Sequence, residues 1–170
     1  SEMGYDYATL GNHDFDGGID NLVKQLPHAN FSFLNANYDF KNTKLHGKIK
    51  PYSIIQKGKF KIGVFGIGIE LDGLVPKKLF GDIEYNDPII AANKIASELR
   101  NKGCNLTICL SHLGFNYKSN KVSDTVLAKM SKNIDLILGG HTHTFLSSPQ
   151  PILNQYGKEI FINQTGWAGI

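Results

Sequence analysis

The sequence predicts an α/β fold, because strand-like and helix-like segments alternate along its 170 residues. The clearest helix lies in the segment NDPIIAANKIASELRNKG (86–103), where Asp87 is the expected N-cap, Pro88 the first helical residue and Gly103 the C-terminal stop. The clearest strands are the short apolar runs LTICL and DLILGG, which have the length of buried strands. These patterns together favour a sheet covered by helices.

The other expected elements follow from the same apolar spacing. They are a strand in YDYATLG (5–11), a helix over 19–26 that Pro27 ends, a strand in FSFLNANY (31–38), a hairpin in YSIIQKGKFKIGVFGIGI (52–69), a strand in NLTICLSH (105–112), a capped helix in SDTVLAKMS (123–131) and strands in DLILGG (135–140) and EIFINQT (159–165).

Composition narrows the classes of function. The net charge of +3 arises from 18 basic and 15 acidic residues spread along the chain, which gives no indication of a nucleic-acid or membrane-surface partner. The longest apolar runs are strand-length, so no membrane span is expected. If CNLTICLSH (104–112) is one strand, Cys104 and Cys109 lie five positions apart on opposite faces, too far to bridge at about 3.3 Å per residue, and are interpreted as two reduced thiols.

Three expected strands run directly into a turn that carries histidine: TLGNHD, CLSHLG and LILGGHTH. Ligands in open α/β sheets bind outside the carboxyl ends of strands, so these turns form a candidate site. His141 and His143 would face the same way on an extended backbone and could reach one centre. Alone, this pair is also typical of a polar surface turn, and a single residue such as His112 is more often packed than metal-bound.

The GNHDFD segment adds a second kind of chemistry. Asn12 offers a neutral oxygen ligand beside His13, and Asp16 can accept the ring N–H of His13, which would fix its tautomer and orientation. Asp16 could instead be simply the N-cap of the helix over 19–26, and the two roles are compatible.

The segments MGYDYATLGNHDFD, LSHLG, DLILGGHTH and INQTGW, in this order, resemble the calcineurin-like metallophosphoesterases and within them the 5′-nucleotidase and UDP-sugar hydrolase branch. The resemblance implies a four-layer α/β/β/α sandwich that hydrolyses nucleotide phosphoesters with two divalent ions, zinc, manganese or iron-like. It implies that Asn12, His112 and His141 ligate the second metal and His143 the first. His13 would stabilise charge on the phosphoryl group and leaving oxygen, with Asp16 orienting it.

The sequence departs from this family in one respect. The family's D-x-H and G-D motifs precede its GNHD segment, whereas residues 1–170 contain no D-x-H, and Gly81-Asp82 comes after GNHD. We therefore expect a partial catalytic domain that lacks its N-terminal strands and the C-terminal nucleotide-binding domain. These two missing segments of the parent protein are its expected partners. Such a chain should bind at most one metal ion weakly and hydrolyse little by itself.

Other functions remain open at this point. A 2′,3′-cyclic nucleotide phosphodiesterase and a nucleotide-sugar diphosphatase are the alternatives within the enzyme class, because substrate choice depends largely on the C-terminal domain. A degenerate, non-catalytic binding module is the alternative outside it. The resemblance also implies a periplasmic, secreted or cell-surface protein, although no signal segment is visible.

Overall fold

The computed structural model describes residues 3–167. Its strands are β1 (Tyr7–Thr9), β2 (Ser32–Leu34), β3 (Tyr38–Asp39), β4 (Tyr52–Lys57), β5 (Phe60–Ile67), β6 (Glu84–Tyr85), β7 (Leu106–Ser111), β8 (Leu136–Gly139), β9 (Gln150–Leu153) and β10 (Glu159–Gln164). Its α-helices are α1 (Gly18–Gln25), α2 (Lys77–Phe80), α3 (Pro88–Asn101) and α4 (Asp124–Met130), and single 3-10 turns cover Asn12–Phe15 and Leu26–His28.

The central element is a six-stranded sheet with the order β4-β5-β7-β8-β10-β9. Its four inner strands run parallel, and the two edge strands are antiparallel to their neighbours. Because β7 and β8 are parallel and adjacent, their carboxyl ends lie at one edge of the sheet, where each is followed by a histidine-bearing turn. The predicted α/β fold is confirmed.

Helices and a second small sheet cover opposite faces of the six-stranded sheet. On β5, a Cβ at Gly63 would lie 2.7 Å from Leu99 of α3, whereas a Cβ at Gly66 would lie 1.9 Å from the carbonyl oxygen of Leu34 in β2. Residues 63 and 66 point to opposite faces. The parallel β1–β2 pair therefore occupies the place of the second sheet, and α1 packs beyond it through a core that includes Leu22 and Phe33.

The two glycines of β5 give a matched test of this packing. We expect Gly66→Ala to lower the free energy of unfolding by about 3 kcal/mol, because the added methyl group meets backbone that cannot move aside. Gly63→Ala should cost about 1 kcal/mol, since it meets the flexible end of Leu99. Urea denaturation of both variants measures the difference, and equal losses would contradict the assignment of faces.

Part of the face that carries β1 and β2 is open. Beyond β7, the side chains of Leu138 and Phe161 on this face are 41% and 43% exposed, and Leu106 is 37% exposed. Their neighbours on the helix-covered face, such as Ile137 and Ile162, are fully buried. The small second sheet thus leaves an apolar strip of the larger sheet in contact with solvent.

Local interactions explain which of the expected helices and strands the structure confirms and which it does not. Asp87 caps α3 by accepting the N–H groups of Ile89 and Ile90, as predicted. The single strand expected over 31–38 is wrong: it divides into β2 and β3, because Asn35 Oδ1 accepts the N–H groups of Asn37 (3.1 Å) and Tyr38 (2.8 Å) and bends the chain.

Sequence patterns gave no sign of β6, α2 or β9, which are short or pair over long distances along the chain. Both cysteines are buried and unbridged, as expected. Within residues 3–167, no helix is both long and apolar enough to span a bilayer.

Candidate metal centre

Three side chains from separate turns converge around the amide oxygen of Asn12. Asn12 follows β1, is 7% exposed, and presents Oδ1 to His112 Nε2 at 3.2 Å and to His141 Nδ1 at 3.0 Å. His112 comes directly after β7, and His141 comes two residues after β8. The six-stranded sheet brings the turns of His112 and His141 to one edge, and β1 of the second sheet adds Asn12, which is 100 and 129 positions away from them in the chain.

The spacing of these atoms fits a divalent cation. Ligand atoms bound at about 2.0–2.2 Å from one ion lie about 3.0–3.5 Å from each other, which matches the distances around Asn12. Because an amide oxygen carries no proton, both ring nitrogens donate to it in the metal-free chain. A cation bound by these three atoms would require each neutral ring to carry its proton on the other nitrogen, which is a change of tautomer without net proton release.

Two glycines make room for the ring of His112. A Cβ at Gly11 would lie 2.6 Å from His112 Cε1 and Nε2, and one at Gly140 would lie 3.2 Å from Nδ1. The imidazole therefore lies close to the backbones of two site-forming turns. This contact explains why glycine precedes both Asn12 and His141 in the sequence.

The electrostatics favour uncharged imidazoles, the form in which histidine binds a metal. Burial lowers the pKa of His112 to about 4, with smaller contributions from His141, His13 and His143. Burial also lowers the pKa of His141, and the cation of Lys121 and the neighbouring histidines act in the same direction. Both proposed ligands are therefore neutral at pH 7.

This shift predicts a pH dependence of the metal-free chain. An unfolded histidine binds a proton below pH 6.5, whereas folded His112 remains neutral down to about pH 4. The free energy of unfolding should therefore fall as the pH drops from 6.5 to 4, by on the order of 3 kcal/mol from His112.

Denaturant titrations at pH 7 and pH 4.5, with a chelator present, measure this loss. The His112→Asn variant is the control, and it should lose less stability over the same interval. An identical loss in the variant and the wild type would contradict the pKa assignment.

A second candidate pair lies beside this cluster. His13 Nδ1 and Asp16 Oδ2 are 2.9 Å apart, and their side chains are 79% and 67% exposed. The alternative that Asp16 is simply the N-cap of α1 is wrong, because Gly17 occupies that position and the carboxylate contacts His13 instead. With Nδ1 engaged by Asp16, Nε2 is the nitrogen available to a ligand.

His143 lies apart from the Asn12 cluster. It is exposed, and its ring is 6.4 Å from that of Trp167, centroid to centroid. Across residues 3–167, no three His, Cys, Asp or Glu side chains are grouped to hold a metal ion, so His143 does not join His112 and His141 in one ligand shell. The backbone between them is not extended, since φ is +73° at His141 and +53° at His143.

Asp14 has a role that was not predicted from the sequence. Its Oδ2 accepts the N–H of Gly11 at 2.7 Å, which closes the turn that presents Asn12 and His13. Burial raises the pKa of this carboxyl group. An acidic residue three positions after the start of a helical turn is a known capping pattern and could have indicated this contact.

Comparison with known proteins agrees with the fold and the motifs. The family model described as calcineurin-like phosphoesterase matches residues 2–145. A snake venom 5′-nucleotidase from Gloydius brevicauda is 36% identical over 89% of this chain. Two solved structures are also similar: a 5′-nucleotidase precursor from Thermus thermophilus (TM-score 0.81, 30% identity, 95% of this chain) and the NAD nucleotidase of Haemophilus influenzae (TM-score 0.82, 29% identity, 96% of this chain).

The chain is shorter than the proteins that it resembles. It spans 25% of the length of the venom protein and 33% and 34% of the two solved structures. The family match nevertheless covers most of residues 1–170, including the turns that carry Asn12, His112 and His141. By sequence and by fold, the chain belongs to the calcineurin-like phosphoesterase family.

Proposed function

We propose that residues 1–170 form part of the catalytic domain of a 5′-nucleotidase-like enzyme that hydrolyses nucleotide phosphoesters at a two-metal site. The convergence of Asn12, His112 and His141 at 3.0–3.2 Å carries this proposal. The names of the similar proteins support the substrate class. They do not favour a cyclic nucleotide phosphodiesterase or a nucleotide-sugar diphosphatase.

Asn12, His112 and His141 would hold one cation, and the exposed His143 would contribute to the other. Nitrogen and amide-oxygen ligands suit zinc, manganese or iron-like ions better than calcium. When bound, such a cation pair lowers the pKa of water and neutralises charge on phosphoryl oxygens. The protein's own contribution is to hold neutral imidazoles at fixed positions, which the glycine contacts and the low pKa of His112 support.

His13 and Asp16 would act on the substrate itself. Asp16 holds Nδ1 of His13, so Nε2 can donate a hydrogen bond to a phosphoryl oxygen or to the departing alkoxide. The exposure of His13 leaves the ring accessible to substrate. An oriented imidazole beside a cation site is not needed for binding alone, which disfavours a degenerate binding module.

The remaining carboxylate ligands of a two-metal site would come from sequence outside residues 1–170. The exposed apolar strip formed by Leu106, Leu138 and Phe161 supports this, because further strands of the second sheet would cover it. A C-terminal domain that recognises the nucleoside is part of the same proposal. An extracytoplasmic location, periplasmic, secreted or at the cell surface, is proposed from the venom relative.

The direct test is a substrate panel on the full-length gene product loaded with zinc or manganese. The panel contains 5′-AMP, a 2′,3′-cyclic nucleotide and a UDP-sugar, and the readout is chromatographic quantification of each substrate and its hydrolysis products. Preferential hydrolysis of 5′-AMP is expected. Preference for either of the other two substrates would assign the enzyme to that alternative, and metal binding without hydrolysis would favour the binding module.

A further inference from the structure

Gln164 is a buried residue behind the candidate site for which the proposed chemistry has no use. It is the last residue of β10, is 1% exposed, and lies in register with Gly139 on β8. Gly139 is the point from which the chain enters the turn that carries His141 and His143. The side chain of Gln164 therefore lies next to the start of the turn that carries both histidines.

Both the nitrogen and the oxygen of the Gln164 amide form hydrogen bonds with that turn. Its Nε2 donates to the carbonyl oxygen of Gly140 at 2.9 Å, and its Oε1 accepts the N–H of Thr144 at 2.5 Å. The hydroxyl of Thr142 donates to the same Oε1 at 3.1 Å. Because a backbone carbonyl can only accept and a backbone N–H can only donate, the orientation of the amide is determined by its partners.

Thr142 extends this network to the turn after β7. Its Oγ1 accepts the N–H of Phe115 at 2.9 Å and lies 2.9 Å from the hydroxyl of Thr144. Since the single proton of Thr142 goes to Gln164, the hydroxyl of Thr144 is the donor in that last contact. The segment that begins at His112 is thus joined to the segment that carries His141.

The backbone held by this network is in an unfavourable conformation. His141 and His143 both have positive φ, which non-glycine residues rarely adopt and which persists only where the surroundings impose it. Backbone bonds also join the turn to the end of β10, from Gly166 N–H to Thr144 and from Leu146 N–H to Gln164. The side chain of Gln164 adds hydrogen bonds on both sides of the His141–His143 segment, to Gly140 and to Thr144.

We propose that Gln164 is a positioning residue that holds His141 and His143 in their metal-binding conformation. The inference rests on the proposed function, because it concerns the same metal site. The strand itself does not require the amide, since β10 pairs with β8 and β9 through its backbone. A side chain of equal length without polar atoms leaves Gly140 and Thr144 without these partners and releases the turn.

The variant Gln164→Met tests this in the full-length protein. Two readouts apply: hydrogen exchange of the segment 140–146 without metal, and the affinity for cobalt, measured by its absorption spectrum without substrate. We expect exchange about tenfold faster, since a hydrogen bond to a buried amide is lost. We expect cobalt affinity about 10- to 100-fold weaker, as is usual when a group supporting a ligand is removed.

Asn154→Leu is the matched control. Asn154 is also a buried amide of the β9–β10 hairpin, 7% exposed, and it bonds to the N–H groups of Tyr156 and Lys158 and to the carbonyl of Ser131. It lies at the opposite end of β10 from Gln164. Its replacement should speed exchange locally and leave cobalt affinity unchanged. Gln164→Glu, which keeps the acceptor oxygen but lacks the donor to Gly140, should fall between wild type and Gln164→Met.

Cobalt affinity within twofold of wild type in Gln164→Met would overturn the proposal, whether or not exchange is faster. An equal loss of affinity in Asn154→Leu would also overturn it, since the effect would then be general destabilisation. Cobalt binding by the wild type without nucleotide hydrolysis would refute the proposed function alone, and the comparison of the variants would still decide the role of Gln164.

Discussion

Replacing His112 by alanine is expected to abolish metal binding at the Asn12 cluster and to lower kcat/KM of the full-length enzyme by more than about a hundredfold. Removal of a group that merely supports a ligand usually costs about 10- to 100-fold, and loss of the ligand itself should cost more. His112 donates to Asn12 at 3.2 Å, and its ring is 5.2 Å from that of His141, so its removal opens the centre of the cluster.

The measurement combines metal content by elemental analysis with initial rates on 5′-AMP. His46→Ala is the matched control, because His46 is an exposed histidine in a loop, where its backbone N–H bonds to the carbonyl oxygen of Thr43. It should retain wild-type metal content and rate. A fully active His112→Ala enzyme with unchanged metal content would show that the cluster is not a metal site.

Replacing His13 by alanine should leave metal content unchanged and lower kcat by roughly 10²–10⁴-fold for 5′-AMP, the range of general acid–base assistance. His13 lies beside the cluster but does not bond to Asn12, and its partner is Asp16 at 2.9 Å. Asp16→Asn should have a smaller effect in the same direction, because it removes the orienting carboxylate and keeps the imidazole.

The leaving group distinguishes this role from metal binding. A nitrophenyl phosphate releases a stable phenolate that needs little stabilisation, so His13→Ala should lose much less activity on it than on 5′-AMP. His112→Ala should lose activity on both substrates. An equal loss on both substrates in His13→Ala would contradict a role at the leaving oxygen.

Local signals in the sequence were enough to predict the helices and strands that build the site. The cap at Asp87 and the apolar runs before His112 and His141 depend on neighbouring residues, and the structure reproduces them. The meeting of His112 and His141 followed from one general rule, that parallel strands share a carboxyl edge, because β7 and β8 are neighbours in one sheet. Asn12 reaches them from β1, which belongs to the second sheet, so this rule does not account for its contact with them.

Contacts between distant segments could not be predicted in this way. The close approach of β2 to Gly66 depends on how two sheets stack, and no pattern within either strand specifies it. The positive φ of His141 and His143 likewise depends on Gln164, which is 21 positions beyond His143 and was recognised only as part of the motif INQTGW. Spacing alone placed the two histidines on an extended backbone that the chain does not adopt.

The central claim is that residues 1–170 carry one half of a two-metal phosphoesterase site. The most direct test is elemental analysis of the isolated chain after loading with zinc or manganese, with 5′-AMP turnover on the same sample. We predict no more than one weakly bound equivalent, its loss in Asn12→Ala, and no turnover. Two tightly bound equivalents with turnover would contradict the central claim, because the chain would then contain the carboxylate ligands assigned here to sequence outside it.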